Sequence, residues 1–198
     1  TFILSLKNNF YFIAISLFLQ LPFALLVALM ISDKIRGANF FRTVFFLPYI
    51  LAEIVTGLIW AYIYDGNYGM VAAIWNFFGA EPPHMIAEKE TAMIALYIVI
   101  FWKYFGIHMM IYIAGLQNIS KEVLEAARVD GAGPVTTAWR IKIPIILPTI
   151  RLSVFLSILG ALQLCDIIMP LTGGGPSNQT HSMVTYLDYL GVMRMNVG

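Results

Sequence analysis

"TAMIALYIVIFWKYFGIHMMIYI", residues 91–113, decides the class of fold. The run is apolar and aromatic nearly throughout, with Lys103 and His108 as its exceptions. Crossing a bilayer's hydrocarbon core as a helix takes about 20 predominantly apolar residues, and this run is long enough. Three further runs pass the same test: residues 10–31, 43–64 and 152–171. Pro22, inside the first, is tolerable as a kink if neighbours satisfy the carbonyl it frees. The segment after His181 is too polar and too short to span by itself. Together these runs predict an all-α, polytopic transmembrane helix bundle.

Bulk composition points the same way. The chain is 60% apolar and 12% charged, against roughly 45–50% and 25% for soluble domains. A net charge of +1 gives no electrostatic case for nucleic acid. One cysteine, Cys165, in an apolar run excludes a disulfide framework and a cysteine-based metal site. The chain opens at Thr1 and stops at "MRMNVG", which reads as a fragment with something missing at both ends.

Basic residues collect in cytoplasmic loops. Lys34, Arg36 and Arg42 fall in residues 32–42, and Lys121, Arg128, Arg140, Lys142 and Arg151 in residues 114–151. Two runs separate these loops, so both are expected on the cytoplasmic side, and the opening stretch is assigned there with them. Residues 65–90 carry Asp65, Glu81, Glu88 and Glu90 against Lys89 and are expected outside. Trp60, Tyr62, Tyr64 and Trp75 suit an interfacial aromatic belt there. "GMVAAIWNFFG" in that loop reads either as a short helix on the membrane surface or as an ordinary capping loop.

The polar stretch "EAARVDGAGPVTTAWRIKIP", residues 125–144, breaks the apolar pattern. Ser120 is a good N-cap and Glu122 suits the positive end of a helix dipole. Lys121, Glu125 and Arg128 share one helical face, with Val123, Leu124 and Ala127 on the other and Ala126 at its margin. Gly131 is placed to end the helix in the left-handed conformation, and Pro134 to open a second. Pro144 and Pro148 are expected to stop that second helix. The small residues Ala126, Ala127, Gly131, Ala132 and Gly133 would admit another protein's backbone closely; a loop packed back on its own bundle is the alternative.

These residues carry a resemblance. Glu125, Ala126, Ala127, three residues, Gly131, nine residues, then Ile141 and Pro144 is similar to the EAA loop of permease subunits of binding-protein-dependent ABC importers. Ile143 stands where that pattern has Leu. "RGANFFRTVFFLPYIL", "WKYFGIHMMIYIAGLQNI", "LPTIRLSVF" and "MPLTGGGPSNQT" extend the resemblance, the last toward the maltose-type sugar-permease branch. It implies a type I importer permease core, larger than four spans, of which this chain would be a fragment lacking a span at each end, and a bacterial or archaeal cytoplasmic membrane. It also implies that Glu125, Ala126, Ala127, Asp130, Gly131, Ile141 and Pro144 couple to a cytoplasmic ABC ATPase dimer. A second permease subunit and an extracytoplasmic solute-binding protein are the other implied partners, besides membrane lipid. The chain itself would bind no cofactor, since ATP would be hydrolysed by the ATPase.

Ionisable groups inside apolar runs are costly and usually face a bundle interior or a wet path. Glu53 and Lys103 lie at similar depth in sequential runs and are expected to pair. Gln163 and Asp166, with Glu53 and Lys103, are candidates for a solute path, because carboxyls and amides suit sugar hydroxyls. Asp166 as a simple cap for the following loop is the alternative. "TGGGP" lacks the Gly-Lys-Ser/Thr of a phosphate loop. His84, His108 and His181 are scattered without metalloprotease spacing or a paired nucleophile, so no catalytic or metal site is expected. The expected function is therefore a non-enzymatic permease subunit of an ATP-driven importer for a sugar or related solute, with a secondary transporter as the alternative.

Overall fold

The computed structural model describes residues 2–32 and 37–193, and every regular element among them is helical. Lys34 and Arg36 of the first basic loop, and Arg194 onward in the last segment, lie outside the described residues. Helix α1, Phe2–Ser32, is 31 residues long and therefore spans the whole bundle. Its middle is a π turn, Ser16–Gln20, closed by the Leu21 N–H donating to the Ser16 carbonyl. The wider turn stands immediately ahead of Pro22, whose missing N–H it accommodates without breaking the rod.

The second apolar run is not one rod. It divides into α2, Ala38–Ile50, and α3, Glu53–Ile63, bent by 97° at Leu51 and Ala52. Helix α4, Met70–Phe77, follows in the connecting loop, with Ala72 buried and Phe77 and Phe78 exposed. Helix α5, Lys89–Gln117, is the central strut. It packs most extensively on the second half of α1 and then on α2. Gly106 makes the α2 contact possible, since a methyl group there would overlap the Phe45 carbonyl.

Two apolar clusters fix the direction of the chain. Phe12 at the start of α1 joins Ala95, Leu96 and Val99 at the start of α5. Ala24, Ala28 and Ile31 join Met109, Ile113 and Leu116 toward the α5 C-terminus. The two helices therefore run parallel. That corrects the placement of the opening stretch: α1 carries the chain from one end of the bundle to the other, so Phe2–Asn9 and the 114–151 loop stand at opposite ends. Tyr64 is likewise no belt residue. It is 3% exposed and donates to the Ala95 carbonyl at 3.2 Å.

The loop region forms α6, Lys121–Val129, and α7, Pro134–Ile145. Pro144 does not stop α7, because a second π turn, Ala138–Lys142, comes just ahead of it, with the Ile143 N–H donating to the Ala138 carbonyl. The helix ends instead at Ile146, where the axis turns by 69° into α8, Leu147–Gln163. Pro148 opens α8 rather than ending α7, since a proline in the first turn has no helical donor to lose. Short helices α9, Ile168–Thr172, and α10, Met183–Asp188, close the described chain, the latter running into a π turn, Tyr189–Met193. Asn8 and Asn9 of α1 bind this region: Asn8 Nδ2 donates to the carbonyls of Gln179 and His181, and Asn9 Oδ1 accepts from the Met183 N–H.

Candidate functional site

Two regions carry polar chemistry. The first is the α6–α7 corner at one end of the bundle. Ser120 stands at the N-cap of α6, but its side chain makes no capping bond. The other end is fully made. Gly131 has φ 78°, its N–H donates to the Arg128 carbonyl at 3.0 Å, and the Ala132 N–H donates to the Ala127 carbonyl at 2.9 Å. That pair of bonds is a Schellman motif, which satisfies carbonyls the helix end would orphan. Pro134 then opens α7 with Gly133 before it.

The corner is turned outward. Glu125, Ala126, Asp130, Gly131 and Pro144 are exposed, while Ile141 is half-buried. Ala127 is the exception at 5% exposure, and half-buried Leu124 packs against the core cluster of the bundle. Val129, Val135 and Trp139 expose 88%, 70% and 70% of their surface, a large apolar fraction for a polar corner. Between α6 and α7 lies a notch of about 230 Å³, lined by Leu124, Arg128, Ala132, Pro134, Thr137 and Lys142.

The second region is the break between α2 and α3. The expected Glu53–Lys103 pair does not form. Lys103 is 1% exposed, and its Nζ donates to the carbonyls of Pro48 at 3.3 Å and Tyr49 at 3.4 Å, and to that of Leu51. The last carbonyls of a helix have no intrahelical donor, and the three donors of one lysine reach those of Pro48 and Tyr49 and, just past the helix end, that of Leu51. Glu53, in the first turn of α3, accepts instead from the Tyr104 hydroxyl at 2.6 Å. The two α5 neighbours take different partners because Lys103 and Tyr104 point about 100° apart around the helix.

Gln163 and Asp166 are exposed at and just beyond the end of α8. Among the described residues no hydrogen bond joins them to Glu53 or to each other. Asp166 does not cap α9 either, because Ile167 stands at that N-cap without a side-chain bond.

A cavity that the sequence reading missed is lined in part by Tyr104, the partner of Glu53. It has a volume of about 60 Å³, and its polar lining is Ser16, Gln20, Tyr104, His108 and Ser157, from α1, α5 and α8. Ser16 Oγ donates to Gln20 Oε1 at 3.0 Å and lies 2.6 Å from Ser157 Oγ. His108 Nδ1 shares a proton with Ser153 Oγ at 2.7 Å. Gln20 Nε2 is buried with no partner in the protein. Ser16 and Gln20 at i and i+4 inside an apolar run were the available signal.

Comparison with known proteins follows the same residues. The sequence matches the family described as "Binding-protein-dependent transport system inner membrane component" over residues 8–185. The chain belongs to this family. It is 32% identical over 166 residues to the "Multiple sugar-binding transport system permease protein MsmF" of Streptococcus mutans, covering 83% of the chain and 56% of that relative. It is 31% identical over 197 residues to the "sn-glycerol-3-phosphate transport system permease protein UgpA" of Rhizobium meliloti, covering 98% and 66%. The chain thus spans less than two thirds of the length of these curated relatives. Its fold matches a chain of a "bacterial alginate ABC transporter in complex with alginate pentasaccharide-bound periplasmic protein", with a TM-score of 0.88 and 23% identity. That match covers 98% of this chain and 68% of the other. The family is an inner-membrane one and these relatives are named transport permeases, so membrane residence and transport, rather than catalysis, describe the family to which the chain belongs.

Proposed function

We propose that this chain is the membrane-spanning permease subunit of an ATP-driven importer and forms part of the passage for a sugar or related solute. It would lie in a bacterial or archaeal cytoplasmic membrane, with the α6–α7 corner inside and residues 65–90 outside. A separate ABC ATPase dimer would hydrolyse the ATP; the permease itself would bind no cofactor and catalyse no reaction. A second permease subunit and an extracytoplasmic solute-binding protein would complete the assembly. The observation carrying this reading is the outward-turned corner, in which Val129, Val135 and Trp139 stay exposed around a notch between two short helices. Apolar groups held in water at the tip of a rigid corner favour a protein partner. Glu125, Ala126, Asp130 and Gly131 would meet that partner, and Ala127, being buried, would support them from behind. Glu53, Gln163 and Asp166 would offer carboxyl and amide groups to solute hydroxyls; Lys103, committed to carbonyls, would not.

Site-directed crosslinking tests the reading. A cysteine replacing exposed Ala126, in full-length protein carrying Cys165→Ser, is co-expressed with its candidate ATPase. A specific crosslink whose yield changes with added ATP is the expected result. No crosslink, with solute uptake persisting in cells lacking the ATPase, would overturn it in favour of a secondary transporter.

A further inference from the structure

The 97° break between α2 and α3 has no local cause at the residues where it occurs. Leu51, Ala52 and Glu53 contain neither glycine nor proline, and Pro48 sits within the last turn of α2 rather than at the bend. Sharp kinks ordinarily trace to proline, glycine or an inserted group. Here the inserted group comes from another helix: Lys103 Nζ stands among the carbonyls of Pro48, Tyr49 and Leu51. One residue on, Tyr104 holds Glu53, the first residue on the far side. Consecutive residues of α5 thus grip both lips of the break. Gly106, allowing the Phe45 backbone to approach, brings α2 close enough for the grip.

We infer that Lys103 is a positioning residue for Glu53: by taking up three carbonyls at the break, it holds the bend open and sets the Glu53 carboxyl against Tyr104, which lines the polar cavity. Without a donor at this position those carbonyls would be unsatisfied in an apolar interior, a cost the chain can relieve by closing the run into a single helix. Straightening would carry Glu53 away from Tyr104. Lys103 accordingly acts on the passage through Glu53, without touching solute. Its bearing on solute passage rests on the permease reading, whereas its hold on the bend does not, so the two can fail separately.

The test is a spin-label distance across the break in the full chain, carrying Cys165→Ser, in lipid nanodiscs. Labels go at Phe40 and Tyr62, exposed by 69% and 68% on the two arms. At 1.5 Å per residue the label-bearing backbones stand roughly 20 Å apart when bent and roughly 33 Å apart in one straight helix. A control pair at Phe18 and Ile98, on α1 and α5, reports the rest of the bundle. Lys103→Met is expected to broaden the Phe40–Tyr62 distribution and move it toward the longer distance while leaving the control pair sharp. Lys103→Arg, retaining cationic donors, is expected to restore the short distance. If Lys103→Met does not accumulate, Lys103→Gln, with its single amide donor group, is read in the same way. A short, sharp Phe40–Tyr62 distance in the methionine or glutamine variant, or equal broadening of both pairs, would overturn the inference.

Discussion

The Tyr104 hydroxyl donates to Glu53 Oε1 at 2.6 Å, tying the central strut α5 to the first turn of α3. A hydrogen bond to a carboxyl in a partly buried site contributes about 1–3 kcal/mol. Tyr104→Phe should therefore lower stability by an amount in that range. Glu53→Gln should cost less, because its amide oxygen still accepts. Reversible unfolding of the purified protein in detergent checks the order, and a Gln variant that loses as much as the Phe variant would contradict it.

Gly106 and Gly160 form a matched pair. A Cβ at Gly106 would overlap the Phe45 carbonyl, which is backbone and cannot swing aside, whereas at Gly160 nothing lies within 4 Å. Gly106→Ala should lose about 1–3 kcal/mol, the usual range for overpacking. Gly160→Ala should be neutral or gain up to about 1 kcal/mol, since alanine is the better helix former. The same unfolding experiment separates them.

At the α6–α7 corner, Gly131 has φ 78° while Gly133 has φ −69°. Left-handed backbone costs a residue with a Cβ roughly 1–2 kcal/mol. Gly131→Ala should loosen the Ala132 N–H to Ala127 carbonyl bond, and Gly133→Ala should not. Amide hydrogen exchange at Ala132 is the measurement: faster in the first variant by about tenfold or more, unchanged in the second.

Asp65 begins the loop after α3, and its Oδ1 accepts from the backbone N–H groups of Tyr68 and Asn67 at 2.8 Å each. These bonds, with a smaller contribution from His84, hold its carboxyl below the usual range. A depressed folded value stabilises the turn above the unfolded value of about 3.9 and loses that effect as pH falls through the folded one. Amide exchange at Asn67 should be slower in the parent than in Asp65→Ala at pH 6–7. After correction for intrinsic exchange, the difference should shrink as the pH falls below about 4.

The parts of this fold that were readable in advance were those with local causes. Gly131 and Pro134 each act through their own backbone, so the corner they define could be placed from residue types alone. The apolar runs were readable because length and composition suffice. The break at Leu51 and Ala52 was hidden, since two ordinary helix-forming residues open there under the influence of Lys103, about fifty positions away. The polar cavity was hidden for a related reason: Ser16, Gln20, His108 and Ser157 come from three helices, and their shared facing depends on packing that no single run encodes. Pro144 misled because the π turn before it depends on a backbone adjustment, and the residue type alone gives no warning of it.

The π turn in α1 shifts the phase of everything downstream. Counting forward in ordinary helical steps from the buried residues Ser5, Asn9, Phe12 and Ser16 leads to Phe23 and Met30 as the next inward positions. They are instead 45% and 62% exposed, and the residues one place later, Ala24 and Ile31, are 0% and 7% exposed. The extra residue in the Ser16–Gln20 turn works as an insertion absorbed in place, rotating the second half of the helix by about 100°. A single-residue deletion within that turn should close it to regular α-helix and bring the two halves back into step. The cost would fall on the asparagine contacts at one end or the alanine seam at the other, because one continuous wheel cannot serve both.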